Sequence, residues 1–93
     1  MLQIAASAQL KKDLTRLRVR NWNMNLFKDA VRALAQSDTD PIPERYNDHA
    51  LPGIRQGYRM LELGRLDSWV ILYVRDNQRI FLVRTGPQEE LEQ

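Results

Sequence analysis

Leu2-Gln3-Ile4 alternates apolar and polar residues as a short edge strand does, and the period then lengthens. Leu10, Leu14 and Leu17 fall at i, i+4 and i+7 behind Ser7, a residue type that caps helix N-termini, so one amphipathic helix starts there. Leu26, Phe27, Ala30, Val31 and Leu34 form a second helical stripe that ends near Gln36. Between the two, the run Asn21 to Asn25 holds three asparagines and reads as a turn and a second helix start. Helices this close in sequence should form an antiparallel hairpin. The segment Ser37-Asp38-Thr39-Asp40-Pro41-Ile42-Pro43 cannot continue a helix, because it combines small polar residues with two prolines. Irregular chain is expected from there through His49 to Pro52-Gly53.

In the second half the period shortens to that of strands. Tyr58 to Leu63 is expected as one strand, Gly64 to Asp67 as a turn, and Trp69 to Arg75 as a strongly β-prone second strand. A tight turn at Asp76-Asn77 leads into a third strand, Gln78 to Arg84. The last two strands are apolar on both faces, so one face must pack on the helices and the other needs a cover: a partner, loops or a ligand. Thr85 and Gln88 are spaced as a capping box around Pro87, with Glu89 and Glu90 following, which predicts a short C-terminal helix. With no repeat and no interior linker, residues 1–93 read as a single α+β domain, βααβββ with a terminal helical turn.

Charge adds to this picture because it is segregated. Residues 1–36 carry seven basic and two acidic side chains, residues 37–53 one and four, and residues 54–86 six and three. All six bases of that last block are arginines, whose planar forks suit phosphate, so the second half suits a polyanion as well as it suits a solvated surface. With no cysteine and one histidine, thiolate metal sites are excluded and a zinc site is disfavoured. No metal and no cofactor is expected. No apolar run reaches the roughly 20 residues of a membrane span, and the N-terminus lacks a signal peptide's pattern, so the expected location is the cytoplasm.

The one histidine, His49, is the only side chain here whose ordinary pKa makes it a proton carrier near neutral pH. By itself it would more often fill a packing position. Its neighbours change that reading. Pro41-x-Pro43, Tyr46-x-Asp48-His49-x-Leu51-x-Gly53, Gly57-Tyr58-Arg59, Asp67-x-Trp69, Val70-x-Leu72-Tyr73 and Arg84-Thr85-Gly86 occur in an order and spacing that resemble the YafQ branch of the RelE/ParE toxin superfamily. The N-terminal half matches more weakly, through Lys12-Asp13 and the two-helix pattern.

That resemblance implies a twisted antiparallel sheet with a helical hairpin on one face and an RNA-binding face on the other. It also implies the toxin of a type II toxin–antitoxin pair, an endoribonuclease that cuts messenger RNA on the ribosome without a metal. The expected partners are a cognate antitoxin, mRNA and the ribosome, with DNA met only through the antitoxin complex. Cleavage by the substrate's own 2′-hydroxyl needs a proton acceptor, a stabiliser of phosphoryl charge and a proton donor. His49 and Asp67 match the family's proton-handling positions, and Arg84 matches a phosphate contact. Trp69 would shape the groove or stack on a base, or else be a core aromatic. Arg59 matches the Gly-Tyr-Arg motif, but its alternation with Leu61 and Leu63 makes an ion pair or a loop anchor equally open. Arg55 and Lys12 complete the RNA-binding set with Glu62.

Two positions depart from the family. Glu62 and Gln88 stand where better-known members carry histidines, and a glutamine can only position groups by hydrogen bonds. Two other readings follow from that departure. One is a ParE-like toxin that inhibits DNA gyrase, and the other is a weakened toxin acting through antitoxin binding.

Overall fold

The computed structural model describes residues 1–64 and 68–91. The expected turn at Gly64 to Asp67 therefore lies mostly outside the described residues. The elements in chain order are β1 (Gln3–Ala6), α1 (Ala8–Val19), α2 (Met24–Ala35), β2 (His49–Ala50), β3 (Arg59–Glu62), β4 (Trp69–Arg75), β5 (Arg79–Pro87) and α3 (Gln88–Leu91). Single 3₁₀ turns at Glu44–Tyr46 and Gly53–Arg55 flank β2.

Ser7 caps α1 as its residue type requires: its Oγ accepts the Leu10 N–H at 2.9 Å and donates to the Val83 carbonyl at 2.6 Å. One hydroxyl thus ends β1, starts α1 and fastens both to β5. Asn23 caps α2 by accepting the Asn25 N–H at 3.0 Å, and Asn21 takes the left-handed conformation that lets the chain reverse.

Among the described residues five strands pair in the order β1-β5-β4-β3-β2. All neighbours are antiparallel except β1, which runs parallel to β5 from Gln3 opposite Arg79 to Ala6 opposite Leu82. This refines the expected antiparallel sheet. A strand followed by two helices returns to the sheet in either direction, and the N-terminal strand alternates identically in both. A second refinement is β2, two residues within the segment expected to be irregular, and too short to show a period.

The helices cover one face. Leu10, Leu17, Ala30 and Leu34 pack with Leu61, Leu63, Trp69, Ile71, Tyr73, Ile80 and Leu82 in the main core. The opposite face carries a smaller apolar cluster in which Leu91 of α3, with Leu51 beside it, covers Met60 and Val70. The cover required by the two-sided strands is thus supplied in part by the chain's own C-terminal turn. Tyr58 and Phe81 are left 36% and 40% exposed.

The capping box around Pro87 does not form. Thr85 and Pro87 belong to β5, which runs on to pair Pro87 with Trp69. Thr85 Oγ1 is committed to the core, accepting the Trp69 indole N–H at 2.7 Å and donating to the Val70 carbonyl at 2.8 Å. With its backbone in the strand and its hydroxyl turned into the core, Thr85 does not reach the first turn of α3.

Candidate functional site

One irregularity in β5 builds the site. Tyr73 lies opposite Leu82 but Leu72 lies opposite Arg84, so Val83 is an extra residue, a β-bulge. Strict alternation from Ile80 and Leu82 would aim Arg84 at the helices. The bulge reverses the alternation, so Arg84 joins the opposite face and Thr85 enters the core. His49 pairs with Met60, Met60 with Leu72, and Leu72 with Arg84. Directly paired residues share a face, so His49 and Arg84 end one row across four strands, about 14 Å apart at three strand spacings.

At the β2 end, the ring of His49 is half-buried and its Nδ1 lies 2.7 Å from the Asn47 carbonyl. A carbonyl only accepts, so Nδ1 carries the hydrogen and Nε2 of the neutral ring keeps its lone pair for a substrate proton. Asn47 is left-handed, and its amide donates to Glu62 Oε2, which locks the turn before His49. Asp48 points to the other side. Arg59 donates to it through Nε at 3.3 Å and Nη2 at 2.8 Å, and the Tyr73 hydroxyl donates to the same carboxylate. The hydrogen bond from Arg59 to Asp48 raises the guanidinium pKa; burial, then the contact with Asp48, raises that of the Tyr73 hydroxyl. Both therefore remain donors at neutral pH.

At the β5 end, Arg84 donates through Nε and Nη2, each at 3.1 Å, to the two oxygens of Asp13 on α1. Asp13 also accepts the Thr85 N–H at 3.1 Å and the Gln9 amide at 3.1 Å. Burial alone would raise the pKa of this carboxyl, but the bonds from Arg84, Gln9 and Thr85 outweigh it and hold the pKa below its ordinary value. Asp13 in turn raises the pKa of Arg84. Arg84 lines an open groove of about 290 Å³ with Arg55, Tyr58, Leu72, Val83, Glu90 and Leu91. Glu90 is held by Arg16 at 3.0 Å.

The structure thus brings His49 and Arg84 onto one face and places Arg55 in the groove with Arg84. Glu62 stands on that face as a tether for Asn47, and Gln88 opens α3, its N–H donating to the Ser68 carbonyl at 2.9 Å. Lys12 is exposed on α1, outside the groove. Two candidates on the sheet face the helical side instead. Trp69 is fully buried, edge-on to Trp22 at 5.1 Å and stacked on Phe27 at 6.3 Å, so it is the core aromatic and offers no face to a base. Arg59 faces the helical side and is engaged by Asp48, an anchor of the His49 turn rather than a groove residue. Asp67 lies outside the described residues.

A profile of the family described as bacterial toxin of type II toxin–antitoxin system, YafQ, matches residues 2–93. The chain belongs to the YafQ family. The mRNA interferase toxin YafQ of Escherichia coli strain K12 is 31% identical over 88 residues, 95% of this chain and 92% of that one. The crystal structure of YafQ from E. coli strain BL21(DE3) superposes with a TM-score of 0.84 at 31% identity, covering 98% of each chain. YafQ in the crystal structure of the E. coli DinJ–YafQ toxin–antitoxin complex superposes with a TM-score of 0.83 at 30% identity, covering 97% of this chain and 96% of that one. The α+β fold of this chain is therefore that of a YafQ toxin.

Sequence reasoning named Asp13 only beside Lys12 and gave it no role in the site. Its signal was present: it lies three residues after Leu10 and four before Leu17, so a carboxylate stands on the buried stripe of α1. Such a group must be matched by donors from elsewhere in the fold.

Proposed function

We propose that this chain is an mRNA interferase, the toxin of a type II pair, which acts in the cytoplasm on messages engaged by the ribosome and is neutralised by a cognate antitoxin. The reading is supported by YafQ-family membership over nearly the whole chain and by the mRNA interferase name of its E. coli relative. The single observation that carries the site is the row His49–Met60–Leu72–Arg84 on the face away from the helices.

In this proposal the RNA strand lies along the row. His49 Nε2 takes the proton of a ribose 2′-hydroxyl, which attacks the adjacent phosphorus and expels the 5′ oxygen of the next nucleotide. The products are a 2′,3′-cyclic phosphate and a free 5′-hydroxyl. Asp67 is the candidate for returning a proton to that oxygen. Arg84, with Arg55 beside it, holds backbone phosphate and supplies positive charge as negative charge builds on the phosphoryl oxygens. Lys12 adds long-range attraction. Gln88 orients by hydrogen bonding.

The test is a translation reaction programmed with a defined message, with 5′ ends mapped after addition of the toxin. The expected result is discrete cleavage by the wild-type chain and a roughly hundredfold or greater loss in His49→Ala, the usual scale for a removed proton carrier. Intact message with the wild-type chain, or unchanged cleavage by His49→Ala, overturns the proposal.

A further inference from the structure

The Arg84 guanidinium does not reach the groove by its own rotamer alone. Its Nε–H and one Nη2–H are bound to a carboxylate whose side chain has no solvent exposure, and the same carboxylate holds the N–H of the next residue, Thr85. β1 ends opposite Leu82, so beyond that point the edge of β5 is closed by α1, and Asp13 sits where helix and strand edge meet. Two of the five N–H groups of Arg84 are thereby fixed. Of the three that remain, one on Nη1 and one on Nη2 form the end-on fork that matches two oxygens of one phosphate.

We propose that Asp13 is a positioning residue for phosphate recognition: it reads the Nε side of Arg84 and thereby presents the Nη1/Nη2 edge to the RNA backbone. The inference rests on the proposed role of Arg84 and deepens it. Three consequences follow from the geometry. The guanidinium plane cannot swing toward Glu90, its acidic neighbour across the groove, without breaking two bonds to Asp13. The lowered pKa of Asp13 keeps the clamp charged at any physiological pH. The bulge at Val83 becomes functional as well as structural, because it lets one buried carboxylate address the side chain of Arg84 and the backbone of Thr85 together.

A double-mutant cycle on message cleavage tests this, using Asp13→Asn, Arg84→Ala and the combined variant, with folding checked by circular dichroism. Asp13→Asn is nearly isosteric but cannot accept both Arg84 bonds as an anion. The expected result is a loss of tenfold or more in kcat/KM for Asp13→Asn, falling on the same parameter, kcat or KM, that Arg84→Ala changes. In the Arg84→Ala background the same substitution should change kcat/KM by less than twofold. If Arg84→Ala cuts poorly and the two losses multiply, Asp13 acts on the fold and not through Arg84, and the positioning role falls alone. If Arg84→Ala cuts at the wild-type rate, the proposed role of Arg84 falls and takes the positioning role with it.

A second readout needs no variant that might unfold. In the ¹⁵N spectrum of the wild-type chain, the Arg84 Nε–H should exchange slowly and stay in place when a non-cleavable 2′-deoxy oligonucleotide binds, while the Nη signals shift. Displacement of the Nε–H signal by the oligonucleotide would overturn the clamp.

Discussion

The two ends of the row are held by the same device used in opposite senses. Each end has an aspartate gripped by both arms of an arginine, Asp48 by Arg59 and Asp13 by Arg84, and the two arginines are nearly equally exposed, 33% and 34%. In the first pair the arginine is the anchor, and the aspartate carries the adjacent His49 into place. In the second the aspartate is the anchor, and the arginine itself faces the groove. The aspartates differ accordingly: Asp48 retains 17% of its side-chain exposure and Asp13 none. A turn that must hold a histidine at an edge strand tolerates a partly wet tether. A guanidinium that must keep its Nη1/Nη2 edge aimed outward needs its other side fixed by a buried one.

The contrast is broken most forcefully by removing each aspartate. Asp13→Ala leaves the Thr85 N–H and the inner side of Arg84 buried without an acceptor. It should cost about 3–5 kcal/mol in urea unfolding, the scale for breaking a buried charge pair. Asp48→Ala removes a carboxylate that is itself partly exposed, whose site water can enter to meet Arg59 and the Tyr73 hydroxyl, and should cost about 1–3 kcal/mol, the scale for an unsatisfied donor. Equal costs would show that the two pairs are not different in kind.

Acid sharpens the same difference. The folded-state pKa of Asp13 lies below its ordinary value of 3.8, so its contribution is complete above that pH and is lost as pH falls through the folded value. The urea midpoint of the wild-type chain should therefore drop between about pH 5 and pH 2, a range that spans ordinary carboxylate titration. Asp13→Asn should show a shallower drop. Part of the fall should persist, because exposed Asp76 also has a lowered pKa through the Gln78 and Arg79 N–H groups. The smallest effect belongs to Tyr73→Phe. Asp48 loses one of its donors and keeps Arg59, so the expected cost is about 0.5–1.5 kcal/mol, with the His49 turn and message cleavage largely retained.

Much of the scaffold was legible in the residues. The apolar helix stripes, the cap at Ser7, the helix start within Asn21 to Asn25, and β4 follow from periodicity and hydrogen-bonding chemistry. What was not legible depends on contacts between distant segments. β2 is two residues long and exists because Met60 and Arg59 pair with it. Thr85 reads as a cap until the indole of Trp69 claims its hydroxyl. The run Ile80-Phe81-Leu82-Val83 is apolar on both faces, so no pattern in it announces that the chain changes face at Val83 and turns Arg84 outward. His49 stands out because it is the only histidine, and the structure places it at the β2 end of the row. Asp13 drew attention only as the neighbour of Lys12 in a weak family match, although a carboxylate on the Leu10–Leu17 stripe is the stronger anomaly.

The central claim is that the edge-strand histidine, locked by Asn47 with Nε2 open, is the proton carrier for RNA cleavage. Its most direct test is the single-turnover cleavage rate of folded His49→Ala against wild type on the same programmed ribosomes. The expected loss is about 10²–10⁴-fold with the unfolding midpoint unchanged. A variant that cuts the same message at the wild-type rate would contradict it.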